Sequence, residues 1–217
     1  MSCPPFITVV SGLPRSGTSL VMQMLAAGGM PVLADGLRTS DDDNPAGYFE
    51  FEPVKRTRSD PSWVPLAVGK AVKVIYLLLP ELPLGFSYRV IFMRRDLSEV
   101  LSSQQKMLQR RGEAGAAIDA ADMARIFQRQ LESTERWLAG QSSFAVTFID
   151  YRDVVNDPFP HAERIRDFLG VHLDTQAMSA VVDPKLYRQR VGDDGNTHSR
   201  KATPSGAGPC DAAGGNL

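Results

Sequence analysis

Apolar residues recur along the chain with two different periods. Runs that are apolar on both faces occupy Phe6 to Val10, Ala71 to Leu78, Arg89 to Met93 and Phe144 to Ile149, the pattern of short strands buried on both sides of a sheet. Helical spacing runs over Thr18 to Ala27, Leu97 to Arg111, Asp119 to Ala139, Phe159 to Leu169 and Thr175 to Val182. In the third of these, Met123, Ile126, Phe127, Gln130 and Leu131 trace a partly apolar stripe, and Asp119 is placed to cap it. Gly140 and Gly170 stand where helices should stop. Strands alternating with helices predict an α/β domain: a mainly parallel central sheet flanked by helices in three layers.

Two stretches fall outside this pattern. Residues 29 to 66 are rich in Gly, Pro and Asp, including Asp41-Asp42-Asp43-Asn44-Pro45. A connection that long is often functional, and it is expected to cover the substrate side. From Val191 onward there is no aromatic residue, six glycines occur, and Ser, Ala, Asn and Pro make up much of the remainder. The reading is therefore one domain over 1–190 and a flexible tail over 191–217. No internal repeat is present.

Composition narrows the function by exclusion. The chain has 217 residues, 43% of them hydrophobic and 23% charged, enough for one sizeable core. Its formal net charge of −1 gives no reason to expect a nucleic-acid partner. Cys3 and Cys210 lie near opposite ends and form neither a disulfide framework nor metal-ligand spacing, which favours a reducing compartment. His161, His172 and His198 also lack ligand spacing. No leader-like segment and no run near the ~20 apolar residues of a membrane span occurs, so a cytoplasmic protein with no membrane partner is expected.

The chemistry begins at Ile7-Thr-Val-Val-Ser-Gly12-Leu-Pro-Arg15-Ser-Gly17-Thr-Ser-Leu-Val21. A strand, a tight turn with two glycines and a helix start follow one another, so the N–H groups of Ser16, Gly17, Thr18 and Ser19 converge at the positive end of a helix dipole. An anion such as phosphate or sulfate fits there. Gly12-x4-Gly17 approaches the nucleotide-binding P-loop, but Thr18 stands where that motif needs lysine. Arg15 is the cation of the loop. A second anion site is expected at Arg94-Arg95-Asp96, where a strand ends and a helix begins on the sheet's C-terminal edge.

Pro14-Arg15-Ser16-Gly17-Thr18-Ser19 resembles the 5′-phosphosulfate loop of the sulfotransferases, and later segments resemble the same family in order. Arg95, Asp96, Glu99 and Ser103 are similar to its second motif, with Leu97 in place of the usual proline; Arg94 with Ser102 has the same spacing. The resemblance implies that the Arg and Ser hold the 3′-phosphate of 3′-phosphoadenosine 5′-phosphosulfate (PAPS). Lys73, followed by Leu79-Pro80-Glu81-Leu82-Pro83, matches the lysine of a Lys-Thr-His string, while Ile75 takes the place of the histidine base. Another base is then needed. Asn44-Pro45-x-Gly47-Tyr48-Phe49-Glu50 is similar to a string of bacterial sulfotransferases, and Glu50 is the first candidate, with Glu52 and Asp35 behind it. In an extended segment Glu50 and Glu52 share one face and Phe49 and Phe51 the other. Phe148-Ile149-Asp150-Tyr151, Asp157-Pro158 and Phe168-Leu169-Gly170 resemble a structural part of the family, with Asp150 capping or ordering a turn and Phe168 and Leu169 in the core. Lys185, Arg188 and Arg190 cluster where the family often completes its nucleotide pocket, but stay outside the site.

The resemblance thus implies transfer of a sulfuryl group from PAPS to a hydroxyl or amine of a small-molecule, glycan or peptide acceptor, with no metal required. Arg15 and the 16–19 amides would hold the phosphosulfate, Lys73 would assist the leaving oxygen, and Glu50 would take the proton. A P-loop kinase using a nucleoside triphosphate and magnesium is the alternative, since Phe144 to Asp150 resembles a Walker-B strand. A catalytically silent nucleotide-binding protein is the third class, which the missing histidine permits.

Overall fold

A computed structural model describes residues 5–37, 47–112 and 119–183. The expected tail, the Lys185, Arg188 and Arg190 cluster, Cys3, Cys210, His198 and the run from Asp41 to Pro45 lie outside these residues. The strands are β1 (Ile7–Gly12), β2 (Val32–Leu33), β3 (Ala71–Lys73), β4 (Tyr88–Arg94) and β5 (Phe144–Asp150). They form one sheet in the order β2-β3-β1-β4-β5, every pairing parallel. The helices are α1 (Thr18–Ala27), α2 (Leu97–Arg111), α3 (Ala120–Ala139), α4 (Tyr151–Asn156), α5 (Pro158–Leu169) and α6 (Thr175–Ala180). The α/β class and the parallel sheet are as the apolar pattern predicts.

The period of two along the central strands divides the core into two layers. On one side, Val10, Ile91 and Met93 pack with Met22 and Leu25 of α1, Val154 of α4, Ile165 of α5 and Met178 of α6. On the other, Val9, Val90 and Phe92 pack with Val100 of α2, Leu138 of α3 and the segment around Trp63 and Val64. Each fully buried aliphatic side chain of this kind contributes about 1.5–3 kcal/mol.

The structure corrects several boundaries. The expected strand from Ala71 to Leu78 ends at Lys73, and Tyr76–Glu81 is a 3-10 helix. The last link to β1 is Val74 N–H donating to the Val10 carbonyl at 3.0 Å; beyond it β1 continues to Gly12 paired with β4, while the chain after β3 turns into the 3-10 helix. Helix α5 begins one residue earlier, with Pro158 in its first turn. Helix α6 stops at Ala180. Asp119 and Asp150 occupy N-cap positions, but neither side chain makes a capping hydrogen bond. The short α4, directly after β5, and the two-residue β2 were not expected.

The described residues between 47 and 66 contribute to the core. Trp63, Val64, Val54 and Thr57 are buried, and Trp63 Nε1 donates to Thr57 Oγ1 at 3.1 Å. Two 3-10 helices, Glu52–Arg56 and Val64–Ala67, form this inner part.

Gly17 and Gly29 both have positive φ, 98° and 92°, yet their surroundings differ. A Cβ on Gly17 would lie 2.3 Å from the Tyr151 ring, while one on Gly29 meets nothing within 4 Å. Gly29→Ala should therefore cost only the backbone term of about 1–2 kcal/mol. Gly17→Ala should add about 1–3 kcal/mol for the collision. Urea unfolding of the pair checks this; equal losses would mean that the Tyr151 ring yields freely.

Candidate functional site

The loop from β1 to α1 is built for close approach. Gly12, Arg15 and Gly17 all have positive φ, and Ser16 N–H donates to the Leu13 carbonyl at 3.1 Å. A Cβ on Gly12 would stand 2.6 Å from Ser16 Oγ and 2.7 Å from the Met93 carbonyl, so the loop lies tight against the end of β4. Helix α1 starts at Thr18 with no side-chain cap and no acidic residue in its first turn. Its first N–H groups and dipole therefore favour an anion. Ser16 is 1% exposed, and its hydroxyl has no hydrogen-bond partner among the described residues. An orphaned buried hydroxyl beside an uncapped helix start fits a phosphate-like guest.

Around the loop the structure brings together Arg15, Arg95, Ser103 and Glu99. Arg15 Nε donates to Ser103 Oγ at 3.0 Å, and Arg95 Nη1 donates to the Arg15 carbonyl at 3.0 Å. Arg95 Nε is paired with Glu99 at 2.9 Å, the two side chains 8% and 5% exposed. The guanidinium lies 4.4 Å from the Tyr151 ring centroid. Burial pushes the Tyr151 hydroxyl up, the nearby Arg95 charge opposing it, so the ring is a neutral phenol. Of the two registers allowed by spacing, Arg95 with Ser103 stands beside Arg15. Arg94 turns to the other face of the sheet, where it meets Glu135 of α3 at 2.8 Å and the Phe148 ring at 3.9 Å. Ser102 is half-buried on α2.

On the β3 side, Lys73 Nζ donates to Ser19 Oγ and to the Tyr48 carbonyl, both at 3.1 Å. The three carboxylate candidates share one segment. Asp35 N–H donates to the Glu50 carbonyl at 3.1 Å, and Glu52 N–H donates to the Asp35 carboxylate at 2.5 Å. That bond, ahead of a second from Leu37 N–H, holds the Asp35 carboxyl below its usual range. A carboxylate held in this way is a weaker proton acceptor than a free one. Lys55 pairs with Glu52 at 2.7 Å and stands 4.0 Å from Glu50. Phe49 and Phe51 do not share a face as expected: φ is +51° at Phe49, which breaks the extended alternation. Phe49 packs on the α1 side of the sheet and Phe51 on the other, edge-on to Trp63.

The comparisons can now be set against this geometry. Residues 70–175, just under half of the chain, match the model of a family described as "Sulfotransferase family". Over this segment the chain is similar to the sulfotransferase family. No curated protein is significantly similar in sequence. Similar solved structures include the sulfotransferase domain from the curacin biosynthetic pathway, 16% identical with a TM-score of 0.48, over 81% of this chain and 77% of that one. Mouse sulfotransferase SULT7A1 complexed with PAP is 16% identical with a TM-score of 0.47, over 86% of this chain and 64% of that one. An unliganded sugar kinase from Janibacter sp. HTCC2649 is 14% identical with a TM-score of 0.41, over 84% and 98%. At such scores these folds carry no weight in the assignment, which rests on the sequence match.

The matched segment contains Lys73, Arg95 and Ser103, whereas the loop and Glu50 precede it. Next to the loop, a cavity of about 600 Å³ opens along the C-terminal edge of β4 and β5. Ser16, Arg95 and Tyr151 line one end; Arg94, Leu131 and Glu135 line the other. Among the described residues no group of three or more His, Cys, Asp or Glu is arranged to hold a metal ion, and no helix is long and apolar enough to cross a membrane.

Sequence reasoning treated Glu99 and Tyr151 as parts of strings and missed what they do here. The i, i+4 spacing from Arg95 to Glu99 was the available signal for the pair. Because both side chains are buried, Glu99→Gln leaves Arg95 without its counter-charge. It should cost about 3–5 kcal/mol in denaturant unfolding. A loss below about 1 kcal/mol would mean that the Arg15 carbonyl and the Tyr151 ring suffice to hold the cation.

Proposed function

We propose that the protein transfers a sulfuryl group from PAPS to a hydroxyl or amine, leaving 3′-phosphoadenosine 5′-phosphate (PAP). The observation that carries this reading is the contact between Arg95 and the Arg15 carbonyl at 3.0 Å. It puts the cation at the strand end beside the cation of the loop, and a nucleotide with anionic groups at both its 5′ and 3′ positions needs two such sites side by side. The family match over 70–175 supports the sulfuryl chemistry.

In this scheme Arg15 and the N–H groups of Ser16, Gly17, Thr18 and Ser19 hold the 5′-phosphosulfate, and Arg95 with Ser103 holds the 3′-phosphate. Glu50 takes the proton of the acceptor as its oxygen or nitrogen bonds to sulfur. The sulfur–oxygen bond to the phosphate breaks, and the electron pair leaves with that oxygen. Lys73 lies next to Ser19 at the helix start and would meet the charge growing there. Holding acceptor, sulfur and leaving oxygen in line is most of the catalytic task, as in phosphoryl transfer. The scheme routes no step through a metal.

Calorimetry should record PAP binding without metal, and much weaker binding of adenosine 5′-phosphate, which lacks the 3′-phosphate. Arg15→Ala should weaken PAP by roughly 10- to 100-fold, the worth of a charge-assisted hydrogen bond. No PAP binding, together with magnesium-dependent ATP binding, would instead make this a kinase-like protein. Glu50→Gln should leave PAP affinity unchanged and slow sulfuryl transfer by ~10²–10⁴-fold once an acceptor is found by screening. Near-normal rates would move the proton to Glu52.

A further inference from the structure

Charge is unevenly distributed along the cavity beside the loop. At the loop end Arg95 and Ser16, with its orphaned hydroxyl, line the cavity, and Arg15 and the uncapped start of α1 adjoin them. Toward α3, Glu132 and Glu135 and the β5 residue Asp150 line the wall with Arg94, which is paired with Glu135; Arg152 belongs to the lining as well. The proposed reading of the loop as the phosphate site sets the sense in which a nucleotide would lie here. Its phosphates go to the loop, and its uncharged base goes to the α3 end, where carboxylates would repel phosphate.

The geometry of Arg94 is that of a fixed plane. Its Nε and Nη2 donate to the two oxygens of Glu135 at 3.2 and 2.8 Å, which fixes the edge of the guanidinium. The Phe148 ring, 3.9 Å away, covers one of its faces. The side chain is still 44% exposed and lines the cavity, so the uncovered face is the one turned to the open space. A flat guanidinium backed by an aromatic ring, its charge balanced by a carboxylate, is a stacking surface for a planar heterocycle and a poor phosphate ligand.

We infer that Arg94, clamped by Glu135 against Phe148, is the platform on which the nucleotide's base stacks, and so a specificity-determining residue for purine over pyrimidine. This rests on the PAPS reading and extends it to the base. The spacing of Arg94 with Ser102 had offered it only as a second phosphate ligand. Here it selects the other end of the same molecule.

The test is calorimetry of the full chain with PAP and with uridine 3′,5′-bisphosphate, which carries the same phosphates on a poorly stacking base. The parent should prefer PAP. Arg94→Ala should weaken PAP by about tenfold or more, the worth of one stacked base, and change uridine 3′,5′-bisphosphate much less. Arg94→Lys should show the same loss, because lysine restores the charge but not the plane. Circular dichroism and thermal unfolding of both variants check that the half-exposed position tolerates the change. An unchanged PAP affinity in Arg94→Ala, an equal loss for both bisphosphates, or full recovery in Arg94→Lys would each overturn the inference while leaving the PAPS reading intact. A parent that binds neither bisphosphate would overturn both.

Discussion

A left-handed arginine is the conformation on which the site depends. The turn from β1 into α1 takes five residues, Leu13 to Gly17, and Arg15 within it has φ of +70°. A residue with a Cβ costs about 1–2 kcal/mol there, so something must hold it. Arg95 does so by donating to the Arg15 carbonyl, and Arg95 in turn is held by Glu99 one helical turn further on. The shape of a loop near the N-terminus thus depends on an ion pair at the start of α2, some eighty residues away. Parallel pairing of β1 with β4, which aligns Gly12 with Met93, makes that reach short.

Much of this was legible. Helices α1 and α2 run over the residues that their apolar spacing indicates, because each has an unambiguous start: Gly17 before one, and before the other Asp96, whose side chain accepts from Ser98 and Glu99 N–H. What was not legible depended on partners distant in sequence. Nothing within Ala71 to Leu78 says that the pairing with β1 will stop at Val10 and end the strand. The buried Trp63 and Val64 sit in turns too short to show a period, so their stretch read as surface loop. At the site, the glycines and Arg15 identify an anion loop, and the second motif gives two arginines at equivalent spacing. Only the pleat of β4 separates them, sending Arg94 to α3 and Arg95 to the loop.

The departures from the family pattern have physical consequences in this chain. Thr18 at the head of α1 departs from the nucleotide-binding P-loop rather than from the sulfotransferase string, and the cations beside the helix start come from its flanks, Arg15 on one side and Lys73 on the other. Leu97 in place of proline is tolerated because the first N–H of a helix needs no internal partner and Asp96 already caps the next two. Ile75 in place of histidine leaves a partly exposed apolar side chain just beyond β3, which can carry no proton. In the proposed reaction the base would come from the segment that Lys73 contacts at the Tyr48 carbonyl, which carries Asp35, Glu50 and Glu52.

How that segment is held explains why a bulky residue adopts a strained conformation in it. Phe49 at φ +51° is a conformation that aromatic side chains rarely adopt, and it persists only where the surroundings over-determine it. Here they do, from both ends. Before Phe49, the Tyr48 carbonyl is fixed by Lys73; after it, the Glu50 carbonyl is fixed by Asp35 N–H, and Glu52 N–H by the Asp35 carboxylate. Between those anchors the chain has to pass from one side of the sheet to the other, and the reversal at Phe49 lets Phe49 and Phe51 reach different halves of the core. An ordinary extended strand would put both rings in one layer. The packing of two phenylalanines therefore sets where the intervening Glu50 stands relative to Lys73, and the position of the candidate base is fixed by the hydrophobic core beneath it.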